Sequence, residues 1–271
     1  MKRIMWFACV MLTVLPAAAQ YSKYMLRDKA PALTRAETAG LRKLANSLTV
    51  DEPSERLKLA GTALESAETT NPVFRQSLET VKAMDRAVAN TKAGAKAADN
   101  LAALYNDPAM SKTAMAYCLP AFLPRIPKEQ RLAALDAIES RAMADGLLDE
   151  TARLSYLMAR ATAYSELEDR ENAIATLESA VESKGLAGCG DKRITSKDRW
   201  PFVPNKKELL AKATPEQIER IAAIQDKWAA VVERDLGAEP RAWVVGAELR
   251  AGAAESRRLA AMKRAAAESK K

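Results

Sequence analysis

The side chains able to do chemistry are few, and the missing ones are informative. The 271-residue chain has no histidine. That removes Ser-His-Asp and Cys-His nucleophile arrangements and any histidine-ligated zinc. The cysteines are Cys9, Cys118 and Cys189, too few for a four-thiolate metal site. No Ser-x-x-Lys pair supports a serine–lysine hydrolase, and no glycine-rich loop ends in Gly-Lys-Ser/Thr. Gly185, Gly188 and Gly190 with Lys192 make a flexible basic turn, read as the chain leaving a helix rather than as a phosphate cradle. Neither a metal nor a cofactor is expected. Two chemistries remain: carboxylate acid–base work, whose partners depend on the fold, and recognition by cations set around aromatics.

The stretch from Gly185 to Lys207 concentrates the second kind. Lys192, Arg193, Lys197, Arg199, Lys206 and Lys207 surround Trp200-Pro201-Phe202-Val203-Pro204. A rigid aromatic flanked by cations could bind an acidic polymer, a sugar face or a peptide. Lys192, Arg193, Arg199, Trp200 and Phe202 are therefore the candidate binding residues. In the competing reading Trp200 and Phe202 cap the open end of a helical array while the charges face water. Cys118 and Cys189 are a candidate disulfide, which the chain-entropy model puts at roughly 4–5 kcal/mol.

The start of the chain bears on both candidates. Lys2 and Arg3 precede an apolar run from Ile4 to Leu15; Pro16 breaks it, and Ala17-Ala18-Ala19 precedes Gln20. That order predicts a signal peptide over residues 1–19, cleaved near Ala19, and hence an exported protein, periplasmic or secreted. The run is shorter than the ~20 apolar residues a spanning helix needs. Export favours the disulfide and argues against a nucleic-acid partner. The net charge of +7 supports solubility and a mild bias toward acidic partners. A basic tail from Arg257 to Lys271, with Arg258, Lys263, Arg264 and Lys270, could touch an anionic membrane surface.

These residues need positioning, and the composition points to helices. Aromatics are only 5 % of the chain, and Ala, Leu, Glu, Lys and Arg dominate. After a flexible leader over 20–33, caps and prolines divide the chain. Thr34-Arg35-Ala36-Glu37 is a capping box; Asn71-Pro72, Asp107-Pro108 and Pro127 mark further starts, and Asp145-Gly146 a stop. Hairpins of similar length follow at 34–69, 72–106, 108–145 and 149–185. The string Ala-x-x-x-(Leu/Ile)-Glu-Ser begins at Ala60, Ala134 and Ala173, the last interval being 39 residues and the first close to twice that. Equal hairpins that bury their faces on their neighbours predict an all-α fold, an α-solenoid spanning 34–185. A loop is expected over 186–213. Thr214-Pro215-Glu216-Gln217 opens a C-terminal helical pair over 214–271, with Ile218, Ile221, Ile224, Trp228, Val231 and Val232 inward on its first helix. The second helix is expected to turn Trp243, Val244 and Leu249 inward and to fray past Gly252.

The hairpin from Glu150 to Gly185 carries Leu157, Ala161 and Tyr164 on one helix and Ala173, Leu177 and Ala180 on the other. In that pattern it resembles a tetratricopeptide repeat, over about one repeat of the chain. Arg160 stands where that family usually keeps an apolar residue, and the helix-ending proline is missing. The resemblance implies those six residues as packing positions and a non-catalytic protein that presents a helical surface to a protein or peptide partner. Glu182-Ser183 followed by Gly185 resembles the Glu-Ser start of the lytic transglycosylase motif, without its Gly-Leu-Met-Gln stretch. It implies the alternative, a cell-wall- or glycan-active enzyme with a carboxylate acid. A peripheral envelope protein held by its basic tail is the third reading.

Overall fold

Hydroxyl, carboxylate and proline residues set the ends of the helices. The computed structural model describes residues 72–89, 96–148, 150–182, 203, 206–236 and 240–269. Among them the chain is all-helical, with no strand. The helices are α1 (Pro72–Ala89), α2 (Ala97–Tyr105), α3 (Lys112–Phe122), α4 (Arg131–Ala144), α5 (Glu150–Glu166), α6 (Arg170–Glu182), α7 (Lys206–Lys212), α8 (Pro215–Leu236) and α9 (Pro240–Glu268). Short 3-10 turns at Leu123–Arg125 and Lys128–Gln130 join α3 to α4. The expected signal peptide, the leader and the hairpin 34–69 lie outside the described residues. The chain divides into two compact units, residues 1–148 and 149–271.

In the first unit each helix buries residues three or four apart. Val81, Met84 and Val88 of α1, Leu101 and Tyr105 of α2, Met115, Leu119 and Phe122 of α3, and Leu135, Ile138 and Ala142 of α4 are all buried. The 3.6-residue period brings such positions onto one face. α1 pairs with α2 and α3 with α4; α1 also packs beside α3, and α2 beside α4. Polar ties fix this order. The buried Thr80 hydroxyl accepts from the Ser111 amide at 2.8 Å and donates to the Gln76 carbonyl at 2.8 Å. The first amide of α2, Ala97, donates to Gln130 Oε1 at 2.8 Å. That side chain supplies one of the partners a helix start lacks. The Tyr105 hydroxyl donates to Asp145 Oδ2 at 3.0 Å. These ties join positions 31, 33 and 40 residues apart. The α2 partners advance together, Ala97 to Gln130 and Tyr105 to Asp145, so α4 runs parallel to α2; Gln76–Ala109, Thr80–Ser111 and Asp85–Arg125 likewise set α3 parallel to α1.

The second unit holds α5 to α9. Leu154 and Ala161 of α5 pack with Ile174, Leu177, Ala180 and Val181 of α6, and the same cluster continues into Leu209, Leu210, Ile218, Ile221 and the fully buried Trp228. α5 pairs with α6, α6 with α8, and α8 with α9. Of the six residues expected to pack this hairpin, Ala161, Ala173, Leu177 and Ala180 are fully buried. Leu157 and Tyr164 are half-buried, Leu157 against the same cluster.

Several expectations meet the structure at identifiable bonds. Gly146 is left-handed at φ +66, and Leu147 N–H reaches back to the Ala142 carbonyl at 2.8 Å, closing α4 as foreseen. Thr214 and Gln217 form the reciprocal capping box: Gln217 N–H donates to Thr214 Oγ1 at 3.2 Å, and Thr214 N–H to Gln217 Oε1 at 3.1 Å. Asp107-Pro108 does not start a helix. Asp107 Oδ1 accepts from the Ala109 amide at 2.8 Å and holds a turn, and α3 begins after Ser111, whose hydroxyl accepts from Ala114 N–H. The expected loop over 186–213 is helical at its end: α7 forms because Leu209 and Leu210 are buried in the core. α9 does not fray past Gly252. It continues to Glu268 because Ala253, Ser256 and Ala260 are buried. On the same helix the inward set is Val245 and Leu249, not Trp243 and Val244, which are exposed.

Candidate binding surface

Heptad-spaced charge organises the second unit. On α6, Glu171, Glu178 and Glu182 face α8. Arg220 of α8 answers the first two: its Nη1 reaches Glu171 at 2.5 Å, and its Nε and Nη2 hold Glu178 at 2.8 and 2.7 Å. Lys227, seven residues on, bonds Glu182 at 2.6 Å. Lys212 and Glu168 add a further pair. These partners lie 42 to 49 residues apart along the chain, so α8 runs parallel to α6.

The opposite flank of α8 is acidic and meets a basic flank of α9. Glu233 takes Arg250 in a two-point pair at 3.0 and 2.6 Å, Asp226 takes Arg257, and Glu219 takes Arg264 at 3.2 Å. The separations rise from 17 to 31 to 45 residues, as antiparallel helices require. Seven residues is close to two helical turns, so each set forms a column along one edge. The Arg220 hydrogen bonds, followed by that of Gln217, hold the Glu171 carboxyl below its ordinary range. Arg220 does the same to Glu178, and Arg250 to Glu233. The Glu178 and Glu171 bonds raise Arg220 in turn.

Two glycines of α9 leave room for side-chain ends from α8. A Cβ at Gly252 would sit 2.7 Å from Gln225 Nε2, and one at Gly246 would sit 2.8 Å from Glu233 Oε1. Gly252 thus makes room for a polar cluster in which the buried Ser256 hydroxyl lies 2.8 Å from the Gly252 carbonyl and 3.2 Å from Gln225 Oε1. Lys206 of α7 donates to the same carbonyl at 3.3 Å. Lys263 of α9 ends α7: its ammonium donates to the carbonyls of Leu210, Ala211 and Ala213 at 3.1, 2.8 and 2.8 Å. Those carbonyls sit at the negative end of the helix dipole. Arg257, Lys263 and Arg264, expected in the basic tail, are tied to the rest of the unit by ion pairs and hydrogen bonds on its surface.

Among the described residues of this unit, the large exposed apolar side chains lie on the outward face of α9. Trp243 is 72 % exposed, Met262 69 % and Val244 57 %. Helical spacing puts Ala247, Ala251 and Ala254 between them, all exposed. Glu248 and Glu255, also seven apart and exposed, border this face on the edge away from the arginine column.

Lys192, Arg193, Arg199, Trp200 and Phe202 lie outside the described residues, as does Cys189. Val203, at the end of that stretch, is buried in the core of the second unit. Cys118 is a buried thiol of α3, pushed up from its ordinary pKa by burial, and no disulfide is seen among the described residues. Glu182 is exposed in the last turn of α6, where it bonds Lys227 on the surface. Among the described residues no group of three His, Cys, Asp or Glu side chains converges as a metal site would require. No described helix is long and apolar enough to cross a membrane. The columns at 219/226/233 and 250/257/264 were open to detection from the sequence by their seven-residue spacing. Comparison of the chain with family models, curated proteins and solved structures returns no match.

Proposed function

We propose that this chain is an exported, non-catalytic scaffold whose stacked, tetratricopeptide-like hairpins present a helical surface to a protein or peptide partner. The observation that carries the proposal is the offset between like helices. In the first unit α3 lies along α1, and α4 along α2, through ties spanning 31 to 40 residues. The sequence string repeats at 39 residues. Its two described copies occupy equivalent places. Ala134 and Ile138 of α4, and Ala173 and Leu177 of α6, are fully buried. Ser140 and Ser179 each donate back to the carbonyl four residues earlier. Each string sits on the second helix of its hairpin. A repeating unit that cannot bury its face alone, stacked on its like, is the structural basis of a solenoid, and solenoids serve chiefly as extended binding surfaces.

The glycan-active alternative finds less support. Its candidate acid, Glu182, is exposed and used to hold Lys227 of α8. Affinity capture from an envelope extract with the mature chain tests the proposal. It should retain a discrete protein or peptide. Retention of a glycan through Trp200 alone would overturn it, and so would a cell-wall hydrolysis that disappears in Glu182→Gln.

A further inference from the structure

We propose that the buried contact between Gln225 of α8 and Ser256 of α9, with Gly252 beside it, is a register key. It selects the observed alignment of α9 along α8 over the alignments one heptad to either side. The inference does not rest on the scaffold reading.

The rest of the seam repeats too evenly to choose. Its charged edge pairs Glu219 with Arg264, Asp226 with Arg257 and Glu233 with Arg250, so both columns step by seven. Sliding α9 by seven residues in one direction sets Arg257 opposite Glu219 and Arg250 opposite Asp226. Sliding it in the other sets Arg264 opposite Asp226 and Arg257 opposite Glu233. Either way two of the three carboxylates meet an arginine. Arg257 already stands within 3.9 Å of Glu219 in the observed register. In the second direction Lys270 and Lys271, seven residues beyond Lys263 and Arg264, would supply stand-ins for the α7 cap and the third pair. These pairs are half-exposed, so each one gained or lost counts for little. The small layers are as uniform. Ala222 and Ala229 of α8, and Ala253 and Ala260 of α9, are buried at the same spacing and pack alike one heptad along.

The polar layer is not repeated. Seven residues from Gln225 stand Ile218 and Val232. Seven from Ser256 stand Leu249 and Lys263, and seven from Gly252 stand Val245 and Leu259. In the observed register the buried Ser256 hydroxyl lies 3.2 Å from Gln225 Oε1. The Gln225 amide nitrogen fills the space at Gly252, where a Cβ would lie 2.7 Å from it. A slide in the first direction puts Val245 in place of Gly252 and Leu249 in place of Ser256, and sets Ser256 on Ile218. A slide in the second puts Leu259 in place of Gly252 and a lysine in place of Ser256, and sets Ser256 on Val232. Both drive a branched side chain into the Gln225 amide and take away its hydroxyl partner. A buried amide left without its partner costs more than a half-exposed ion pair returns. Fixing register is the best-attested use of a buried polar group in a two-helix seam.

Spin labels at the exposed Ala223 of α8 and Ala247 of α9 report the register as a distance in the intact chain. They are carried on non-natural side chains, so the native cysteines are untouched. At 1.5 Å per residue, one heptad changes the separation by about 10 Å along the axis. Wild type should show one distance. Gln225→Val/Val232→Gln moves the key by seven residues without changing composition, and the distance should lengthen by about 10 Å. Gln225→Leu/Ser256→Ala deletes the key in favour of apolar residues. A second population about 10 Å from the first should then appear, with helicity by circular dichroism retained. An unchanged single distance in either variant would overturn the proposal. So would unfolding of the variant without the key, since the contact would then be needed for folding itself rather than for alignment. Should the transposed variant fail to fold, the variant without the key decides alone.

Discussion

Replacing Asp85 with alanine should destabilise the first unit far more than any surface change. Asp85 on α1 pairs with Arg125 after α3 at 2.9 Å, and the side chains are only 4 % and 11 % exposed. Arg125 also lies over the Phe122 ring, 5.2 Å from its centre. Removing the carboxylate leaves a guanidinium in a site largely closed to water. Breaking a buried pair in this way costs about 3–5 kcal/mol. Amide exchange read on peptides of α1–α4 isolates this unit from the second. At about 1.4 kcal/mol per tenfold, protection there should fall by roughly two to three and a half orders of magnitude, with α5–α9 unchanged. Asp85→Leu with Arg125→Met removes both charges, and replacing a buried pair by apolar residues is commonly close to neutral. That double variant should recover protection to within about one order of wild type, the lost cation–π contact being worth about 1 kcal/mol. A loss below one order for Asp85→Ala, or a double variant no better than the single, would refute the reasoning.

Four further outcomes follow from the same geometry. Lys263→Met uncovers three carbonyls at the end of α7 and should cost the second unit about 1 kcal/mol in urea unfolding, with α7 peptides exchanging fastest. Thr214→Ala removes the cap of α8 and should cost about 1 kcal/mol in the same assay, while Thr214→Ser should cost little. Glu171, Glu178 and Glu233 are held below the ordinary glutamate pKa of about 4.3 in the folded chain, so their stabilisation is full above that value and lost as pH falls through the folded one. The melting temperature of the second unit should be flat from neutral to about pH 5 and fall below about pH 4, and Arg220→Met should shallow that fall. Cys118 should resist thiol alkylation in the native chain and react in denaturant without reductant; failure to react until reductant is added would establish the bridge to Cys189.

The punctuation of the fold was legible because it is local. Gly146, Pro72 and the Thr214–Gln217 box each act on amides within a few residues, so type and spacing suffice to place them. Asp107-Pro108 misled because an aspartate can close a turn as readily as start a helix, and the choice fell to Ser111, three residues before the amide it caps. The inward face of α9 was misread for a different reason. Trp243 and Val244 are the largest apolar residues at its start, yet the face is set by small ones: Gly252, Ala253, Ser256 and Ala260 allow the close approach to α8. α9's length had the same hidden cause, since an alanine- and arginine-rich segment holds as a helix when its alanines are buried and its arginines meet Glu219 and Asp226. Those partners are 31 to 45 residues away, beyond any local pattern. The polar ties from Thr80 to Ser111 and from Gln130 to Ala97 escape local pattern likewise. The buried small residues of the 150–185 hairpin, by contrast, could be named one by one, because backbones that close leave room for little else.

The scaffold claim is tested most directly by photo-crosslinking side chains placed one at a time at exposed positions of α5, α6 and α9 in the exported chain. The account predicts discrete adducts to a second protein, clustered on one helical face and reproduced at neighbouring positions such as Ala247, Ala251 and Ala254. Adducts at none of these helices, together with turnover of a cell-wall glycan that vanishes in Glu182→Gln, would contradict it.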